Sequence, residues 1–198
     1  MILSTGMNNI SSIKASVETI LNHGVPLALL HCTSIYPAPP ETMRLGAITH
    51  LKDEFPDLEI GLSDHSLGIS VALGSVAIGA NIIEKHFTKS RQWPGPDNPF
   101  SIEPNELKNL VDWSKEIWKA RGGKKDILDD EKPVIDFAYA CGVAIKDINK
   151  GEALSLDNIW VKRPGTGEIF AKDFEDVLGK IATVNISENT QLSHSMFK

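Results

Sequence analysis

Cysteine is nearly absent from this sequence: Cys32 and Cys141 are the only two among 198 residues. Two cysteines cannot build a disulfide framework, so a reducing cytoplasm is the expected compartment. Long apolar runs are missing as well. The most apolar stretch, Ile69–Ile83, is 15 residues long and is broken by Ser70, Ser75 and Asn81, whereas a membrane span takes roughly 20 apolar residues. Met1-Ile2-Leu3-Ser4 lacks the basic start of a secretory leader. Positive charge is scarce: 20 Lys and Arg face 26 Asp and Glu, a net charge of -6, which excludes a general nucleic-acid-binding surface. Residues 1–121 and 122–198 each hold 13 acidic and 10 basic side chains, so neither is a charged tail. An anionic substrate would have to be held by a local cluster. The 41% hydrophobic and 23% charged composition is that of a folded chain, neither disordered nor collagen-like.

The first 120 residues alternate short apolar runs with helical patterns. The runs Met1–Leu3, Leu27–Leu30, Glu59–Leu62 and Asn81–Lys85 are bounded by polar or turn residues, as buried parallel strands are. Between them, Ile10, Ile13, Val17 and Ile20 recur at helical spacing after Asn8 and Asn9, which are good caps. Met43, Ala47, Ile48, Leu51 and Phe55 repeat the pattern after Pro39-Pro40. Ile69–Ile78 is apolar all round and is expected to be a buried helix. Pro104 opens a fourth helix, whose inner face is expected to be Leu107, Leu110, Val111, Ser114, Ile117 and Trp118. Four strand–helix units are half of a (β/α)8 barrel, which takes roughly 250 residues. Gly122–Pro133 is polar, starts with Gly and ends with Pro, as a linker does. From Val134 the long helical period gives way to short apolar pieces and turns, read as a compact, mostly β module. The division expected is therefore 1–121, a linker at 122–133, and 134–198.

Reactive side chains cluster at one end of each strand: Ser4-Thr5-Gly6, His31-Cys32-Thr33-Ser34, Ser63-Asp64-His65 and Glu84-Lys85-His86. In parallel α/β folds the strand C-termini form the active face. His65 and His86 end neighbouring strands. The spacing leaves two readings open: a shared divalent metal, or two hydrogen-bonded histidines in a polar cavity. Strand alternation puts Ser63 on the face of His65 and Glu84 on the face of His86. Asp64 reads as a cap for the helix after Ser66. His31 suits either a catalytic role or a buried hydrogen-bonded place, and Cys32 suits a small buried hydrophobe. Tyr36-Pro37-Ala38-Pro39-Pro40 and Trp93-Pro94-Gly95-Pro96-Asp97 are stiff loops. Asp97 is either a turn residue or a ligand for hydroxyls. Lys162-Arg163-Pro164-Gly165 reads as a solvated turn or an anion contact.

The strings ILSTGM, LLHCTSIYPAPP, GLSDHSLG, EKHFTKSRQWPGPD and VKRPGTG together resemble the N-acetylneuraminate (sialic acid) synthase family. The resemblance runs over essentially the whole chain. It implies an α/β fold: the C-terminal half of a (β/α)8 TIM barrel followed by a small, mostly β, antifreeze-like SAF domain. Members of that family condense phosphoenolpyruvate with N-acetylmannosamine or a related amino sugar, releasing phosphate and a nine-carbon 2-keto sugar acid. They use a divalent metal, commonly Mn2+, with Mg2+ or Co2+ as alternatives. By resemblance, His65 and His86 are the catalytic metal ligands. Ser4, Ser34 and Ser63 bind phosphoenolpyruvate, although Ser34 stands where members often carry asparagine. Tyr36 and Asp97 contact the amino sugar. Phe137 and Arg163 belong to the region that, in the family, caps the partner's barrel in a homodimer. The resemblance includes no front half of the barrel and none of its anion-binding lysines. The isolated chain is therefore expected to be inactive unless a separate N-terminal half completes it. The weighed alternatives are a non-catalytic fragment, a different metal enzyme using His65, His86 and Asp97, and an ice-binding module. No nucleic-acid or membrane partner is expected.

Overall fold

A computed structural model describes residues 1–198 as two compact units, Met1–Gly123 and Lys124–Lys198. In the first, β1 (Ile2–Ser4), β2 (Ala28–Cys32), β3 (Glu59–Asp64) and β4 (Ile82–Lys85) form one parallel sheet in sequential order. The helices α1 (Ile10–Asn22), α2 (Gly46–Glu54), α3 (Ser70–Ala77) and α4 (Pro104–Ala120) alternate with the strands. A sequential order without reversal is that of a barrel segment and not of a doubly wound sheet.

The local reasons are those of chain chemistry. Asn9 caps α1, its side-chain oxygen accepting from the Ser12 amide at 3.1 Å. Ile13 and Val17 then fall on one face and meet Leu29, Ile60 and Leu62 of the central strands and Ile48 and Leu51 of α2. Burying each of the larger of these side chains stabilises the unit by about 1.5–3 kcal/mol. The central strands β2 and β3 are buried almost throughout, whereas the edge strands β1 and β4 are partly exposed. Pro104 starts α4, with Glu103 and Glu106 closing a reciprocal capping box.

Three expectations need correction. α3 is apolar all round, yet Ala72, Ser75 and Val76 are buried while Ala77 and Ile78 are exposed, because only one flank of a helix can lie on a sheet. On the expected inner face of α4, Leu110 is buried but Leu107, Val111 and Trp118 are exposed. They line a groove of about 680 Å³ with Val76, Ala80 and Ile83 beside the edge strand β4. The stretch read as a linker holds a 3-10 turn, Asp129–Glu131, and the start of α5 (Lys132–Ala138). Pro133 sits in the first turn of α5, where its missing N–H costs nothing, so it opens a helix and does not close a linker.

In the second unit, β5 (Cys141–Ala144) pairs antiparallel with β6 (Ile159–Lys162). Short isolated bridges, among them Val143 with Gln191 and Ile148 with Ile186, knit the rest. Ile148, Leu154, Ile159, Ile169 and Leu192 form its core. No helix of either unit is long and apolar enough to cross a membrane.

Gly61 of β3 lies where the strands approach most closely. A Cβ there would press on the Ile82 carbonyl oxygen and come within 2.6 Å of Leu30 Cδ2. Gly61→Ala is expected to lower stability by about 1–3 kcal/mol, read as a lower urea midpoint. An unchanged midpoint would show that the β3–β4 spacing yields freely.

Candidate functional site

The pairing of β3 with β4 places Ser63 opposite Glu84 and Asp64 opposite Lys85. Alternation along the strands sends Ser63 and Glu84 to one face, where Ser63 Oγ donates to Glu84 Oε1 at 2.7 Å. One residue past the strand ends, the rings of His65 and His86 stand 5.3 Å apart, edge to face at an interplanar angle of 64°. A cavity of about 240 Å³ is lined by Ser63, Asp64, His65, Glu84, Lys85 and His86.

Each imidazole is oriented from behind. His65 Nδ1 lies 2.9 Å from the Thr33 carbonyl oxygen, which assigns the proton to Nδ1 and leaves the Nε2 lone pair free. His86 Nδ1 faces Asp97 Oδ2 at 3.5 Å. An imidazole held at one nitrogen by a carbonyl or carboxylate is the arrangement that prepares the other nitrogen for a metal ion. The donor chemistry of the pair therefore fits a divalent cation. No group of three or more His, Cys, Asp or Glu is arranged to hold a metal ion.

The two proline-rich loops wall the same place. The Ala38 amide donates to the His65 carbonyl oxygen at 2.9 Å, tying the first loop down beside the histidine. The Tyr36 ring then lies 4.1 Å from that of His65 and 6.0 Å from that of His86. From the second loop, Phe100 packs edge-on to His86 at 5.3 Å. Phe100 was not singled out in the sequence; its place three residues after Asp97, at the end of the stiff loop, is the signal available. Asp97 sits in a turn, as one of its two readings expected, and its carboxylate also meets a histidine. Its carbonyl oxygen accepts from Ser101 Oγ at 2.8 Å within a turn, and its carboxylate faces His86.

Tyr36, Ser63, His65, His86 and Asp97 are thus brought together. Ser4 ends β1 and is exposed. Ser34 follows β2, its Oγ 3.9 Å from Cys32 Sγ, and Cys32 Sγ is also 3.9 Å from His65 Nδ1. Phe137 and Arg163 are exposed on the second unit, Phe137 on α5 and Arg163 just after β6. Asp64 does not cap the following helix. Its Oδ1 accepts from the Ser66 amide at 2.8 Å in the loop, and α3 begins only at Ser70, with no side-chain cap. His31 is buried, with Nε2 donating to the Met43 carbonyl oxygen at 2.8 Å. It points away from the cluster, since Cys32, its neighbour on the strand, points towards it.

A model described as the NeuB family matches residues 1–126, and a SAF domain model matches residues 141–198. The chain belongs to the NeuB family. It is 44% identical over 193 residues to N,N'-diacetyllegionaminic acid synthase of Campylobacter jejuni, covering 96% of this chain and 57% of that protein. It is 37% identical over 200 residues to a pseudaminic acid synthase of the same species, covering 100% of this chain and 57% of that protein. Among solved structures it resembles the N-acetylneuraminic acid (sialic acid) synthetase of Leptospira borgpetersenii, in complex with citrate. The TM-score is 0.63 at 41% identity, over 68% of this chain and 47% of that one. The chain thus spans a little over half the length of the curated relatives it matches. Within the NeuB family its fold is the C-terminal half of a (β/α)8 barrel followed by a SAF domain.

His31 titrates in a way that bears on stability. Burial holds its imidazole below the usual value; the Met43 carbonyl oxygen opposes this, and the charge of Arg44 adds to it. The unfolded chain therefore takes up this proton first, and falling pH favours unfolding. The contribution of His31 to stability is complete above the ordinary value of about 6.5 and is lost as pH falls from there towards the lower folded-state value. His31→Gln keeps a donor for Met43 and removes the titration. Its urea midpoint is expected to vary less with pH than that of the unsubstituted chain; parallel profiles would remove His31 as the cause.

Proposed function

We propose that this chain carries the metal-binding side of a nonulosonic acid synthase, which condenses phosphoenolpyruvate with an N-acetylated amino sugar and releases phosphate. The observation that carries the reading is the convergence of two pre-oriented imidazoles, His65 and His86, with Tyr36 and Asp97 at the C-terminal ends of β3 and β4. His65 and His86 would hold a divalent cation, Mn2+ or in its place Mg2+ or Co2+, through Nε2. When bound, the cation supplies Lewis-acid polarisation of the sugar aldehyde oxygen.

The chain's own residues bind and orient. Tyr36 offers an exposed ring and hydroxyl to the amino sugar, and Asp97 accepts from sugar hydroxyls while steadying His86. Ser4, Ser34 and Ser63 serve phosphoenolpyruvate. The Ser63 hydroxyl proton is engaged by Glu84, so Ser63 donates to the anion only by exchanging that bond. Phosphoenolpyruvate is polyanionic, and the lining of the cavity holds a single lysine and no arginine. That lysine, Lys85, is taken up by Asp64. A separate N-terminal half is proposed to close the sheet edges and add the missing cations. Phe137, 70% exposed, and Arg163 suit a homodimer in which the SAF domain caps the partner's barrel. The reaction is placed in the cytoplasm, in keeping with two free thiols.

N-acetylmannosamine is the acceptor the family resemblance suggests. The 44% identity to a legionaminic acid synthase favours a second reading, an acceptor with two N-acetyl groups. The test is phosphate release from phosphoenolpyruvate with each sugar and Mn2+, using the chain alone and mixed with the front half of a family relative. No release is expected from the chain alone and sugar-dependent release from the mixture. His65→Ala is expected to reduce that release by more than about 100-fold, the upper range for losing a group that only supports a metal ligand. Turnover by the chain alone would overturn the need for a second half. Silence of every mixture would overturn the synthase reading.

A further inference from the structure

Lys85 lies between Glu84 and His86 in sequence, yet it takes no part in the cluster they form. Its side chain turns to the opposite face and is 3% exposed, while that of its partner Asp64 is fully buried. Lys85 Nζ donates to Asp64 Oδ2 at 2.9 Å and to the Ser66 carbonyl oxygen at 2.6 Å. The other Asp64 oxygen accepts from the Ser66 amide at 2.8 Å. Three points of the backbone are thereby joined: the end of β3, the end of β4, and the loop just beyond His65.

The place of this knot matters. Asp64 and Lys85 are opposite one another and are the last paired residues of their strands. Backbone pairing between β3 and β4 stops there, and His65 and His86 are the next residue on each strand. From that point the separation of the two histidines depends on side chains. A buried ion pair is weak as a source of net stability, since an apolar pair of similar volume often does as well. In some proteins such a pair serves instead to impose one geometry on what it joins.

We propose that the Asp64–Lys85 ion pair is a positioning device that sets the separation and orientation of His65 and His86. The proposal rests on the reading of those histidines as metal ligands. It makes Asp64 and Lys85 positioning residues of the site, acting through the two histidines.

The test uses the full chain, Lys85→Met, and the double variant Asp64→Leu/Lys85→Met. Lys85→Met leaves a buried carboxylate unpaired and is expected to lose stability. The double variant removes both charges and is expected to regain a melting temperature near that of the unsubstituted chain. Two readouts go beyond stability. One is the NMR Overhauser contact between the His65 and His86 rings, measured without metal. The other is Mn2+ affinity, followed by the electron paramagnetic resonance signal of the free ion. In the double variant the ring contact is expected to vanish and Mn2+ affinity to fall by about 10–100-fold. A double variant that keeps the ring contact would overturn the proposal, whatever its metal affinity. If the unsubstituted chain and His65→Ala bind Mn2+ equally poorly, the metal reading fails instead, and the ring contact still decides the role of the ion pair.

Discussion

The parallel pairing of β3 with β4 puts Ser63 beside Glu84 on one face and Asp64 beside Lys85 on the other. The chemical side of the first unit follows from that register. A shift of one residue in either strand would send one histidine to the helix face and put Asp64 or Lys85 in its place, because side chains alternate with a period of two. The register in turn depends on close approach: at Gly61 there is no room for a methyl group. Below the site, Leu29, Leu30, Ile60 and Leu62 are completely buried and hold the strand axes. Above it, where backbone pairing ends, the bond from His65 Nδ1 to the Thr33 carbonyl, the bond from the Ala38 amide to the His65 carbonyl, and the Asp64–Lys85 pair continue the job.

The same sheet shows why the site is one-sided. Its central strands are buried on both faces, while β1 and β4 present partly exposed edges. The groove beside α4 and β4 exposes Leu107, Val111 and Trp118. These apolar side chains flank an edge strand, and curated relatives are nearly twice as long as the stretch they share with this chain.

Much of this was legible residue by residue. The four apolar runs correspond to the four strands, and Asn9 caps α1 as its side chain and position suggested. The alternation argument paired Ser63 with His65 and Glu84 with His86, and the pairs face one another. Other details were not legible, for identifiable reasons. An aspartate before a helix looks like a cap, but Asp64 is used by a lysine 21 residues away. A proline after a polar stretch looks like an end, but Pro133 begins a helix. An apolar stripe on α4 looks like an inner face, but burial depends on whether another element lies against it. Phe100 beside His86 is a contact between a loop and a strand end, and carries no periodic signature.

By itself, the sequence determined the elements, their order, and which end of the sheet carries reactive groups. Those properties follow from spacing, capping and the two periods of helix and strand, all local in the chain. Tertiary structure alone decided that two imidazoles come within 5.3 Å with Nδ1 engaged on both, that Asp64 and Lys85 share a dry pocket, and that Tyr36 closes over His65. These are meetings of residues 11 to 32 positions apart, set by strand register and loop docking, and the energy that selects them is counted only once the chain has packed.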